Sequence, residues 1–145
     1  MPRAVLDANV YVSAVLNPDG PPGHIIQHFL NDAAFEIVLS SAIVEEVLRA
    51  LGYSKVRKFI RADIEPELWF EDIVVLADMV AGEFGISGVC EDAEDDKYLA
   101  AALEGRAAFV VTGDQDFLAL KEYESVRIVT PRAFLDLLGA ERASR

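Results

Sequence analysis

The chain reads as short apolar runs, each followed by a stripe of apolar positions three and four apart. A short continuous apolar run marks a strand buried on both faces, and the 3.6-residue stripe marks a helix with one buried side. Strands are therefore predicted at 4–6, 35–39, 86–89, 109–111 and 126–129. Between them lie helical stripes. Val10, Val12, Val15 and Leu16 form the first, with Asn9 as its expected cap, and NPDGPPG at 17–23 stops it. Ile25, Ile26, Phe29 and Leu30 form the second. Ile43, Val44, Val47, Leu48 and Leu51 form the third, with Ser41 as its expected cap.

Residues 53–62 read as helical and basic. Pro66 opens a helix carrying Leu68, Trp69, Ile73, Leu76, Val80 and Phe84, since a missing N–H is harmless in a first turn. Gly85 and Gly88 bracket the 86–89 strand. A helix follows at 98–103 and is ended by Gly105, a short one starts at Phe117, and the last runs from Pro131 to Gly139. Strands alternating with helices imply an α/β fold with three layers, α/β/α, around a parallel sheet of about five short strands. The pattern gives one domain, 1–139, with 140–145 as a frayed tail.

Composition narrows the class. Of 145 residues 52% are apolar, enough for one sizeable core. No apolar run approaches the ~20 residues of a membrane span, and the N-terminus lacks the apolar stretch of a signal peptide. Cys90 stands alone, so no intramolecular disulfide is expected and a reducing, cytoplasmic setting is. The net charge of −12 argues against a general nucleic-acid binder. A local exception exists: between Val47 and Ala62 there is no acid, but there are Arg49, Lys55, Arg57, Lys58 and Arg61. These bases read either as a solvated helix face or as a path for a phosphate backbone.

The acids carry the candidate chemistry. In a parallel sheet the functional crevice lies beyond the carboxyl ends of the strands. Asp7 follows the first strand directly, Asp114 follows the 109–111 strand closely, and the run EDAEDD at 91–96 follows the 86–89 strand. Glu46 lies about a turn into the helix after the second strand, with Glu45 as its rival. Carboxylates gathered in one crevice raise one another's pKa, and a divalent cation removes that cost. Oxygen donors without a His–Cys set suit Mg²⁺ or Mn²⁺.

Leu6-Asp7-Ala8-Asn9, Ser41 through Glu46, Asp92-x-x-Asp95-Asp96 before Tyr98-Leu99, and Thr112-Gly113-Asp114-x-Asp116-Phe117-Leu118 together resemble the PIN domain. The closing Thr130-Pro131-Arg132-x-Phe134-Leu135 is similar to a subgroup, the VapC-like toxins of prokaryotic toxin–antitoxin modules. The resemblance runs in order over nearly the whole chain. It implies a metal-dependent ribonuclease, a homodimer, and a small antitoxin protein as partner. By position Asp7, Glu46, Asp95 and Asp114 match the family's acidic quartet. Asp96 and Asp116 are further candidate ligands, and Asn9 and Thr112 match polar residues that orient acids or substrate.

Plainer roles compete at each position. Asp7 and Asn9 suit a helix cap, and Asp114 and Asp116 suit a turn after Gly113. Acids in 91–96 favour a helix N-terminus, but five in six exceed that need. Asp92 is as readily a surface residue, and Cys90 reads as a small buried apolar group.

Overall fold

In the computed structural model, which describes residues 1–143, six strands form one sheet: β1 (Arg3–Leu6), β2 (Glu36–Leu39), β3 (Asp78–Met79), β4 (Phe109–Val111), β5 (Glu122–Tyr123) and β6 (Val126–Val129). Their order is β3-β2-β1-β4-β6-β5, parallel throughout except for the β5–β6 pair. Helices flank the sheet: α1 (Ala8–Leu16), α2 (Pro21–Asp32), α3 (Ser41–Leu51), α4 (Ser54–Arg57), α5 (Pro66–Leu76), α6 (Asp96–Glu104), α7 (Gln115–Leu118) and α8 (Pro131–Ala143). A single 3-10 turn, Ala93–Asp95, leads into α6. The fold is the expected three-layer α/β/α arrangement.

Sheet and helices close on one core. Ala4, Val5, Leu6, Ile37, Val38, Leu39, Val110 and Val111 are buried on the three central strands, as strands covered on both faces require. Phe35 meets Phe134 edge-on at 5.0 Å and packs at a tilt against Phe29 at 5.6 Å, which ties α2 and α8 together. Tyr11 on α1 meets Phe70 on α5 edge-on at 5.2 Å. At the amino end of the sheet Arg3 ion-pairs with Glu36 and, at 2.5 Å, with Asp78, and its Nε donates to the Gly105 carbonyl. That one guanidinium links β1, β2, β3 and the end of α6. Gly105 is required where α6 closes on β2: a Cβ there would stand 2.5 Å from Val38 Cγ1.

Several expectations need correction. No strand forms at 86–89; residues 80–92 are irregular, and the strand beside β2 is Asp78–Met79. The 80–92 segment is held instead by carboxylates of α6. Glu104 accepts from the backbone N–H groups of Gly82, Glu83 and Phe84, and Asp96 accepts from Cys90 N–H at 2.7 Å. The helix from Pro66 stops at Leu76, short of Val80 and Phe84, because the chain turns into β3. Within 53–62 only Ser54–Arg57 is helical. The last helix passes through Gly139 to Ala143; residues 144–145, the end of the expected tail, lie outside the described residues. The caps shift by a residue or two: Asp7, not Asn9, caps α1, and Ser40, not Ser41, caps α3.

Candidate metal centre

The strand order reverses direction about β1: β2 lies on one side and β4 on the other. The crevice at such a switch point is where open parallel sheets place their ligands. Here the carboxyl ends of β1 and β4 are stitched together. Asp7 N–H donates to the Val111 carbonyl, and the Thr112 hydroxyl donates to Asp7 Oδ2 at 2.7 Å. The same hydroxyl accepts from Asp114 N–H at 3.1 Å, and Asn9 N–H donates to Asp7 Oδ1 at 3.3 Å. Asp7 and Thr112 are both buried.

Four sequence-predicted acids come together around this seam. The Asp95 carboxyl is half-buried and pushed up to about 7, by desolvation first and then by the charges of Asp7, Asp92, Asp114 and Glu46. Asp7 is also raised, chiefly by burial; the bonds from Thr112 and Asn9 oppose that rise, and Glu46 adds to it. Glu46 projects from the second turn of α3, and its Oε2 ion-pairs with Lys97 of α6. Glu45 is exposed.

The remaining candidates are placed differently. Asp96 is buried and its carboxylate is turned to Cys90 N–H. Asp116 is exposed, and its N–H donates to Asp114 Oδ1. Asn9 is exposed and meets Asp7 through its backbone. Among the basic residues Arg57 bonds Glu67 at 2.5 Å and Arg61 grips both oxygens of Asp63, while Arg49, Lys55 and Lys58 are exposed. Cys90 is half-buried rather than enclosed, with its thiol pushed up to about 12, first by burial and then by Asp96.

Three residues of the seam were not among the site residues expected from sequence. Tyr98 is buried, and its hydroxyl accepts from Ala8 N–H at 3.2 Å. Burial and then the Asp7 charge push that hydroxyl's pKa up, so it stays protonated beside the acids. Asp92, part of the acidic run but not among the predicted ligands, contributes charge at Asp95. Lys97 is the cation in the acidic run. Its three-residue offset from Glu94 was visible, but its meeting with Glu46 required the fold.

A match to the PIN domain spans residues 3–116. The chain belongs to the PIN domain family. This PIN domain is 26% identical to an uncharacterized protein, MJ1680, of Methanocaldococcus jannaschii, with 92% of this chain and 90% of that protein covered. Its fold is that of a chain in the crystal structure of VapBC2 from Rickettsia felis bound to a DNA fragment from their promoter. The TM-score there is 0.56 at 12% identity, covering 88% of this chain and 98% of that one. Among the described residues of the PIN domain no helix is long and apolar enough to cross a membrane.

The donor set suits a hard divalent cation in its chemistry: oxygen atoms only, on acids that destabilise one another. Among the described residues no three acid, His or Cys side chains already stand at ligand geometry around one point. One Glu46 oxygen is taken by Lys97. Beside the seam a cavity of about 360 Å³ opens between the start of α3 and the 80–92 segment, lined in part by Ser41, Phe84, Asp96, Lys97 and Glu104.

Proposed function

We propose that this PIN domain is a Mg²⁺- or Mn²⁺-dependent endoribonuclease, the toxin of a toxin–antitoxin module acting in the cytoplasm. The observation that carries the reading is the convergence of Asp7, Glu46, Asp92 and Asp114 on Asp95 at the sheet's switch point, where burial first and then their charges raise the Asp95 carboxyl. Acids that serve only as caps have no reason to converge there at a mutual electrostatic cost.

In this reading Asp7, Glu46, Asp95 and Asp114 hold the cation. A bound cation supplies the positive charge that stabilises a phosphodiester transition state. The protein's own contribution is positional. Thr112 and the Asn9 N–H fix the Asp7 carboxylate, and the Asp114 backbone is drawn to the same hydroxyl. Asp95 holds a proton on a large share of molecules near neutral pH, and it would have to give that proton up to hold a cation. Arg49 lies three positions along α3 from Glu46, so α3 leads from the acids toward Lys55, Arg57, Lys58 and Arg61 as a phosphate path. Asp96, one of whose oxygens accepts from Cys90 N–H, and the exposed Asp116 remain further candidate ligands in this reading.

The chain shares its fold with the VapBC2 structure, and its resemblance to VapC-like toxins supports a small antitoxin as partner here. Leu48, Tyr53, Phe59, Leu68, Val75 and Leu76 are large apolar side chains left exposed on α3 to α5, which supports a partner or a second copy on that side. The test is RNA cleavage by purified protein with Mn²⁺, set against EDTA and against Asp95→Asn and Asp114→Asn. Cleavage abolished by chelation and by either substitution is expected. Full cleavage by both variants, or none by the wild type, would defeat the reading. The competing reading, a non-catalytic interaction module on the PIN fold, draws on the −12 net charge and would then take its place.

A further inference from the structure

Lys97 stands where a cation is least welcome on electrostatic grounds of its own helix. It occupies the first turn of α6, and the positive end of a helix dipole disfavours a base there. Two carboxylates offset that cost. Its ammonium ion-pairs with Glu46 Oε2 and lies 3.3 Å from Glu94 Oε2. The Lys97 side chain is 18% exposed and that of Glu46 29%, whereas Glu94 at 81% stands out in solvent. The inner partner belongs to the acid cluster and the outer one to the rim. A flexible four-carbon stem lets an ammonium move between two such partners without any backbone change.

The charge arithmetic gives this placement a consequence. A divalent cation bound through Glu46 and its neighbours would contest the oxygen that Lys97 already holds, and it would repel the ammonium beside it. In a half-buried site that repulsion is weakly screened.

We propose that Lys97 is an internal counter-cation of the PIN domain's acid cluster, one that competes with the divalent metal for Glu46 and swings to Glu94 as the metal binds. The inference rests on the reading that the acids hold a divalent cation. Lys97 is then a positioning residue that sets metal affinity: it stabilises the clustered carboxylates while no divalent ion is bound, and it makes the site bind metal less tightly than the acids alone would.

The test is calorimetric Mn²⁺ titration of the whole chain as wild type, Lys97→Met and Lys97→Arg, with thermal unfolding of each in EDTA. Lys97→Met is expected to bind Mn²⁺ about tenfold more tightly, because a positive charge next to the ion is gone. In EDTA its Tm is expected below that of the wild type, and added Mn²⁺ is expected to raise it by more. Lys97→Arg keeps the charge and is expected to restore near wild-type affinity, a result that lost packing would not give. If Lys97→Met does not fold, Lys97→Gln takes its place with the same expected direction. Mn²⁺ binding by the wild type with equal or weaker binding by the neutral variant overturns the role of Lys97 alone. Binding by neither protein overturns the cation-holding reading as well, and binding by the neutral variant alone upholds both.

Discussion

The hydroxyl of Thr112 donates to the carboxylate of Asp7 at 2.7 Å, across 105 positions of sequence and across the seam where the sheet changes direction. One short bond thus fixes the most buried acid of the site and, through the Asp114 N–H, the loop that carries a second acid. Thr112→Val keeps the shape and removes the bond. A buried Asp7 oxygen then loses its donor, which costs about 1–3 kcal/mol of stability. Mn²⁺ affinity is expected to fall about 10- to 100-fold, the usual scale for losing a partner that orients a ligand. Chemical denaturation and calorimetry measure the two effects, and Thr112→Ser should recover most of both.

Stability in EDTA should fall as pH rises. Asp95 is raised from an ordinary 3.8 to about 7 in the folded chain, and Asp7 is raised as well. Between those values the folded protein binds more protons than the unfolded one. The stabilisation is therefore complete below pH ~4 and is lost as pH climbs through about 7. Tm measured in EDTA from pH 4 to 8 should decline from this contribution, and Asp95→Asn should flatten the decline. Mn²⁺ affinity should rise over the same interval, because the ion binds the ionised form. A Tm profile identical in wild type and Asp95→Asn would contradict this assignment.

Neighbouring acids should behave oppositely. Asp95→Asn removes a repelled charge and is expected to stabilise the protein in EDTA while weakening Mn²⁺ binding. Asp96→Asn weakens a 2.7 Å charged bond to Cys90 N–H and is expected to destabilise by about 1–3 kcal/mol. Its effect should appear as faster amide exchange in 80–92, the segment anchored there, with Mn²⁺ affinity changed far less than by Asp95→Asn.

Tyr11 offers a stability test away from the acids. Its ring is fully buried against Phe70, and among the described residues its hydroxyl has no hydrogen-bond partner. Tyr11→Phe deletes an unsatisfied polar atom and keeps the ring contact. Stability should be unchanged or higher by about 1 kcal/mol in urea unfolding.

The sequence made the centre of the sheet legible because β1 and β4 hold the apolar runs AVL and FVV, each followed at once by a polar residue, Asp7 and Thr112. It misled at 86–89, where Ile86, Val89 and Cys90 do pack partly against the core but the backbone is not in a ladder. Carboxylates of Glu104 and Asp96 hold the backbone on either side of it, at Gly82 to Phe84 and at Cys90, and such side-chain anchors leave no periodic trace. The strand that borders β2 instead, Asp78–Met79, carries two exposed side chains and hence no apolar signal; its backbone pairing with β2 and the Arg3–Asp78 bond place it. At the site, acids at strand ends were visible one by one. Which of them face one another depends on the sheet order, so Asp95 and Asp96, adjacent in sequence, were separated only by the fold.

Asp7, Asp92 and Asp114 share one local device: each carboxylate accepts the backbone N–H two residues on and caps the turn it begins. Folding and chemistry are thereby written into the same atoms, and a mutational scan of this chain should split at these codons. Asparagine caps as well as aspartate but brings no charge, so such alleles should yield folded protein without the site's chemistry. Alanine removes both, so its alleles should also lose abundance. Comparing the two spectra, residue by residue, would separate what selection asks of the turn from what it asks of the carboxylate.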